Sequence, residues 1–336
     1  MCNQKQWWPS ELFTLINRKG LQLKLSNHGA RIVSIKVPVE EDLREITVGF
    51  DNLAQYQENP YFGATIGPVA GRIAQGCFTL HDRVYHTDQN EGTTTLHGGK
   101  DSFESKYWKL EGQSFNQVTF SYFRRDQENG FPGNLEIKVC YQLTEDNSIV
   151  ITYEAVSDQD TLFNPTNHVY FNLDGDVSHS VFQHQLLIDS NSILKLAPDN
   201  TITGELIDLT YTPFDFRKPR AIKQIFSKTN EQIKFNQGLN HPFLVNIQDK
   251  AQVMLIGSDK KIRLCLTTDC ESVVIYTTGH CEKGLATTTG TLCFGGALAL
   301  EAQGAPGAER FSFLRSIYLK KDQPYHSITK YQLFSD

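Results

Sequence analysis

The sequence predicts an all-β protein, a large antiparallel β-sandwich in a single domain over residues 1–336 with very little helix. Three observations predict it. Apolar and polar residues alternate with period two through many short segments, the pattern of strands with one buried face. Turn-forming clusters separate those segments. No window of a dozen residues carries helical periodicity, and there is no strand–helix alternation of the kind a Rossmann or TIM-barrel chain needs.

Along the chain, the alternation begins at Leu21 to Leu25 and returns at Gln117 to Tyr122. It is clearest where Leu135, Ile137, Val139, Tyr141 and Leu143 share one face and Glu136, Lys138, Cys140 and Gln142 the other. Ser148 to Val156, Ile262 to Leu266 and Ser272 to Tyr276 repeat it. Glu128-Asn129-Gly130, Gly130-Phe131-Pro132-Gly133 and Asp174-Gly175-Asp176 supply turns. Thr166 to Leu173 suits a buried strand, and the apolar run Gly295 to Leu300 reads as another, interrupted by Glu301. Short turns of helix fit near Asn52 to Gln57 and Lys218 to Phe226.

Length alone favours two domains, but no Pro-, Gly- or Ser-rich linker divides the chain and large sandwiches run as one unit. Apolar residues make up 39% and charged residues 21%, enough for a sizeable core. The net charge is −6 with basic residues scattered, which argues against nucleic acid as a partner. No run approaches a membrane span, and Met1 to Trp8 lacks the apolar stretch of a secretion signal, so a cytoplasmic protein is expected. Seven cysteines without a Cys-x-x-Cys pair read as reduced thiols. Ten histidines occur without HExxH or HxH spacing, so no metal site is expected.

Four segments hold chemistry. His168, in Thr166-Asn167-His168-Val169-Tyr170-Phe171-Asn172-Leu173, is a titratable ring in a buried context, either a satisfied core histidine or a working one. His97 lies in Leu96-His97-Gly98-Gly99, whose glycines either serve a turn or let backbone approach a ligand. Arg72, in Gly71-Arg72-Ile73, is set for a salt bridge or for a ligand. Glu301 either ends its strand at the surface or is buried, where desolvation would raise its pKa towards that of a general base working near neutrality. Asn240, before His241-Pro242-Phe243, could turn the chain or contact hydroxyls. Two imidazoles, a guanidinium and a carboxylate are the equipment of acid/base chemistry.

With those residues in hand, the chain resembles the aldose 1-epimerase (galactose mutarotase) family from Leu21 through Tyr331. The resemblance rests on the four segments above in their order, together with Val48-Gly49-Phe50, Asn59-Pro60-Tyr61-Phe62-Gly63-Ala64, Trp108, Gly130-Phe131-Pro132-Gly133, Thr203-Gly204-Glu205 and Thr212-Pro213-Phe214-Asp215-Phe216-Arg217. It implies a mutarotase-like sandwich with an open sugar-binding face, and an isomerase acting on a free aldohexose such as galactose or glucose. By that resemblance, Glu301 takes the proton of the C1 hydroxyl and His168 protonates the ring oxygen. Arg72, His97, Asn240, Asn167 and Tyr276 would bind the sugar. No cofactor is implied, because ring opening moves two protons and no electrons. A small-molecule sugar is the expected partner, with the protein a monomer or homodimer. Maltose or another disaccharide reducing end, a hexose phosphate, and a non-catalytic sugar-binding relative are the alternatives.

Four positions depart from the family pattern. Gly71 stands where an asparagine often precedes the arginine, Asn240 where an aspartate is usual, Val274 where some members have glutamine, and Gly307 where an aspartate often follows the proline. Asn240 keeps an acceptor but loses a charge-assisted hydrogen bond, so the departures bear on sugar preference more than on reaction type.

Overall fold

The computed structural model describes residues 10–226, 229–248 and 250–335; the readings on Met1 to Trp8, and Cys2, fall outside them. Two large antiparallel sheets form a sandwich. One has nine strands in the order Lys109–Gln113, Gln117–Arg124, Leu135–Leu143, Ser148–Ser157, Tyr325–Ser335, Ile262–Thr268, Val253–Ile256, Gln185–Ile188 and Arg220–Ala221. The other has six, in the order Tyr170–Phe171, Leu298–Gln303, Ser272–Thr277, Asn240–Val245, Ser190–Leu196 and Ile202–Asp208. A four-stranded meander from Leu12–Ile16 to Asp42–Glu45 adds to it.

The expected strands form, most with one or two more residues than the alternation showed. Two segments differ. Glu301 does not interrupt its strand, which runs Leu298–Gln303 with Glu301 inside it and 3% exposed. The Thr166 to Leu173 segment is two strands of two residues, not one. Thr166–Asn167 pairs with Thr65–Ile66, whereas Tyr170–Phe171 pairs with Leu298 and Ala299. The chain changes partner at His168, whose N–H donates to Ala64 O (2.9 Å) and whose carbonyl accepts from Gly63 N (2.9 Å). Both histidine backbone groups are thus satisfied outside a regular ladder.

Helix is sparse, as expected. Leu53–Glu58 is capped by Asn52, whose side chain accepts from Gln55 N, and Ile222–Phe226 is a 3₁₀ turn. The Glu231–Asn236 helix was not legible in the sequence, because six residues are too few to show a period of 3.6. No helix among the described residues is long and apolar enough to cross a membrane.

Register in the six-stranded sheet assigns its faces. Val274 lies opposite Glu301, Ser272 opposite Gln303, Asn240 opposite Tyr276 and Pro242 opposite Val274. Opposed residues share a face. The alternate positions, including Leu298, Leu300, Val273, Ile275 and Phe243, join the main apolar core. There Tyr331 of the nine-stranded sheet donates to Leu300 O (3.1 Å) and packs its ring 5.4 Å from that of Phe171. One face of this sheet therefore closes the sandwich, and the other is left for a cavity.

Candidate active site

That outer face floors a cavity of about 520 Å³. Glu301, Gln303, Val274, Tyr276, Asn240 and Pro242 rise from the strands of this sheet, and Arg72, from the short strand Arg72–Ile73, closes over them with His97, His168 and Tyr61 from loops. The structure brings six of the seven sequence-predicted site residues to this cavity. Asn167 is the exception. Its Nδ2 donates to Gly63 O (2.9 Å) and to the Tyr141 hydroxyl (3.2 Å), and it does not line the cavity. It neighbours His168 in sequence, but the change of strand partner sends its side chain to the loop beneath.

His168 Nε2 lies 3.3 Å from Glu301 Oε1, with the two residues 4% and 3% exposed. Burial drives their proton affinities apart from their usual values. It pushes Glu301 up to about 8, with Arg72 pulling the other way, and His168 down to about 4. Against that burial, the backbone of His168 itself pulls the ring's proton affinity back up, and Glu301 is the carboxyl that meets the ring at Nε2. The rings of Tyr61 and Tyr170 lie near the imidazole, with centroids 6.2 and 4.8 Å away.

His97 is held by its own backbone neighbourhood. Its N–H donates to Gly71 O (2.9 Å), and Gly71 N–H donates back to His97 Nδ1 (3.2 Å). His97 itself has φ +55°, followed by Gly98 at +87° and Gly99 at +98°. A side chain at Gly98 would put a Cβ 2.4 Å from Gly67 O, so this glycine serves close backbone approach. Burial, with the nearby His168 and Arg72 adding to it, holds the His97 ring well below its usual pKa and hence neutral. With Nδ1 accepting from Gly71, the neutral ring carries its proton on Nε2.

That tautomer bears on metals. The ligand atoms of His97, His168 and Glu301 lie within 4.8 Å of one another, close enough to surround a cation. A protonated Nε2 has no lone pair to give a metal, and Nδ1 is engaged by an amide hydrogen. The donor set suits a sugar oxygen better than a cation.

Arg72 is paired, as one of its two readings expected: Nε and Nη2 hold the two carboxylate oxygens of Glu91 (2.5 and 2.8 Å). Asn240 Nδ2 donates to Asn236 Oδ1 (3.1 Å), which leaves the Asn240 carbonyl oxygen for a ligand. The Tyr276 hydroxyl donates to Glu282, so its oxygen remains only as an acceptor. The sequence reading missed Tyr61, Glu91, Asn236, Glu282 and Gln303, all in the cavity lining. For Gln303 a signal existed, since it sits two residues from Glu301 and must share its face. The others sit on loops or the short helix, where no period betrays a facing.

The sequence matches the aldose 1-epimerase family over residues 11–332. An aldose 1-epimerase of Haemophilus influenzae is 35% identical over 304 residues, covering 89% of this chain and 87% of that one. A maltose epimerase of Levilactobacillus brevis is 29% identical over 95% of this chain and 94% of its own length. Among solved structures, a GalM/aldose epimerase homologue from C. elegans superposes with a TM-score of 0.91 at 24% identity, over 97% of this chain and 99% of that one, and so shares the fold. With its fold, its cavity and these matches in agreement, the chain belongs to the aldose 1-epimerase family, isomerases acting on carbohydrates.

Proposed function

We propose that this protein interconverts the α and β anomers of a free aldohexose, galactose or glucose, by acid/base-catalysed ring opening and closure. The observation that carries the reading is the buried Glu301–His168 contact of 3.3 Å at the floor of a sugar-sized cavity. Opening takes one proton from O1 and gives one to O5. The pair holds one titratable proton between about pH 4 and about pH 8, which matches that count. In the reactive arrangement Glu301 is ionised and His168 protonated, and Arg72 favours it by stabilising the carboxylate. Glu301 takes the O1 proton as His168 donates to O5, and the C1–O5 bond breaks to leave an open-chain aldehyde. Rotation about C1–C2 presents the other face, and closure returns both protons by the reverse route. His97 Nε2–H donates to a sugar oxygen, and Asn240 Oδ1 accepts from a hydroxyl.

A second reading, a reducing disaccharide such as maltose, is favoured by one observation. The lining runs from Glu301 across four more strands to Ile202 and on to Phe235 and Gln237, wider than one pyranose ring requires. A hexose phosphate fits less well, because Arg72 is the only lysine or arginine among the described lining residues and Glu91 already holds it. Polarimetry of freshly dissolved α-galactose, α-glucose, maltose and glucose 6-phosphate tests these readings. Galactose or glucose should equilibrate fastest. A clear preference for maltose would replace the first reading with the second, and no acceleration of any sugar would leave only a binding protein.

A further inference from the structure

Glu91 has no part in the reaction as described, yet it lines the cavity and holds Arg72, the one arginine or lysine among the described lining residues. We propose that Glu91 is a positioning residue for Arg72, fixing the guanidinium by two of its nitrogens and tempering the positive charge that Glu301 meets. The inference rests on the acid/base reading of Glu301 and His168.

Three observations carry it. The grip is bidentate, Nε to Oε2 and Nη2 to Oε1, the geometry that fixes a guanidinium plane, and it leaves Nη1 for the sugar. The loop around Glu91 is already closed without that carboxylate. Glu91 and Thr94 exchange backbone hydrogen bonds (3.2 and 2.9 Å), the Asn90 side chain bonds both Leu96 N (2.7 Å) and Leu96 O (3.0 Å), and the Thr87 and Thr95 hydroxyls meet at 2.6 Å. The carboxylate is therefore free for Arg72, apart from a bond from the Thr94 hydroxyl (3.2 Å). Finally, the Glu91 side chain is 41% exposed, and a half-exposed ion pair adds little stability, so its effect is one of orientation and field.

The field has a clear target. Beside Glu301 stand His168 and Tyr170 from the segment next to its strand, Arg72 from the short strand Arg72–Ile73 and His97 from the loop above, and Tyr331 from the opposite sheet, while Tyr276 and Glu282 share its cavity from the neighbouring strand and its following loop. Of these, Arg72 is the permanent cation, and it stabilises ionised Glu301. Glu91 cancels part of that charge. Without it, Arg72 would draw the proton off the Glu301–His168 pair at lower pH and would oppose adding a second one.

The test is the pH dependence of kcat/KM for galactose mutarotation in wild type, Glu91→Gln and Glu91→Asp. Wild type should give a bell with limbs near 4 and 8. Glu91→Gln should move both limbs acidward by about one pH unit and raise KM several-fold, because Arg72 is less firmly held. Glu91→Asp keeps the charge and should keep the limbs in place, even where a shorter reach lowers the rate. Limbs that stay put in Glu91→Gln, or move to higher pH, overturn the inference whatever happens to kcat. If wild type accelerates no sugar, the functional reading fails separately. The inference is then decided by ¹³C NMR titration of the Glu301 carboxyl, where a lower midpoint in Glu91→Gln upholds it and an unchanged one overturns it.

Discussion

The two faces of the Leu298–Gln303 strand are built from neighbouring residues and behave in opposite ways. Leu298, Leu300 and Ala302 face the sandwich interior, where apolar packing and the Tyr331 bond to Leu300 O satisfy them. Glu301 and Gln303 face the cavity, where Glu301 is held far from its usual proton affinity and both amide atoms of Gln303 are buried without a partner. The strand is equally buried on both sides, yet one side stabilises the fold and the other burdens it. Unmet polar demand on a buried face is what a polar ligand can satisfy, and that is the physical mark of a site.

The largest effects should come from the cavity face. Glu301→Gln and His168→Asn should each cut mutarotation by about 10²- to 10⁴-fold while leaving the far-UV circular dichroism spectrum unchanged. Full activity in either variant would reduce the polar face to a binding surface.

The packed face should respond in stability instead. Leu300→Ala removes a fully buried side chain from the main cluster and should cost about 2–5 kcal/mol in chemical denaturation. A cost near zero would show that the two faces do not divide the labour as described.

The smallest effect sharpens the comparison. Glu301 has a folded-state pKa of about 8 against a usual 4.5. Between those values the folded protein keeps a proton that the unfolded chain has released, so stability falls as pH rises through the window. Glu301→Gln removes that loss. Its Tm should exceed that of wild type by a margin that grows from about pH 5 to about pH 8 and disappears below about pH 4. A margin independent of pH would mean the carboxyl is not strained by burial.

Much of this architecture was legible in advance, for identifiable reasons. The Leu135–Leu143 strand was readable to its ends because one face is core and the other is not, so alternation carried through all nine residues. The shared cavity of Glu301 and His168 followed from family resemblance, not from local pattern. Locally, Glu301 looked like a break in an apolar run and His168 like a core histidine. His241 shows why local reading stops there. It too is fully buried and pushed down to about 3 by burial, but its Nδ1 accepts from Asn240 N and no carboxylate pairs with it within salt-bridge reach among the described residues.

The sequence by itself determined the strands whose alternation is clean, the near absence of helix and which residue types could move a proton, because side-chain alternation and chemical type are local properties. Only the tertiary structure decided that Glu301 lies within a strand, that His168 sits where the chain changes sheet partner, that Asn167 turns away, and that Glu91 holds Arg72. Those outcomes depend on strand register and loop closure between residues far apart in the chain. Proximity of that kind, joined to burial, moves the proton affinities of a carboxylate and an imidazole away from their usual values.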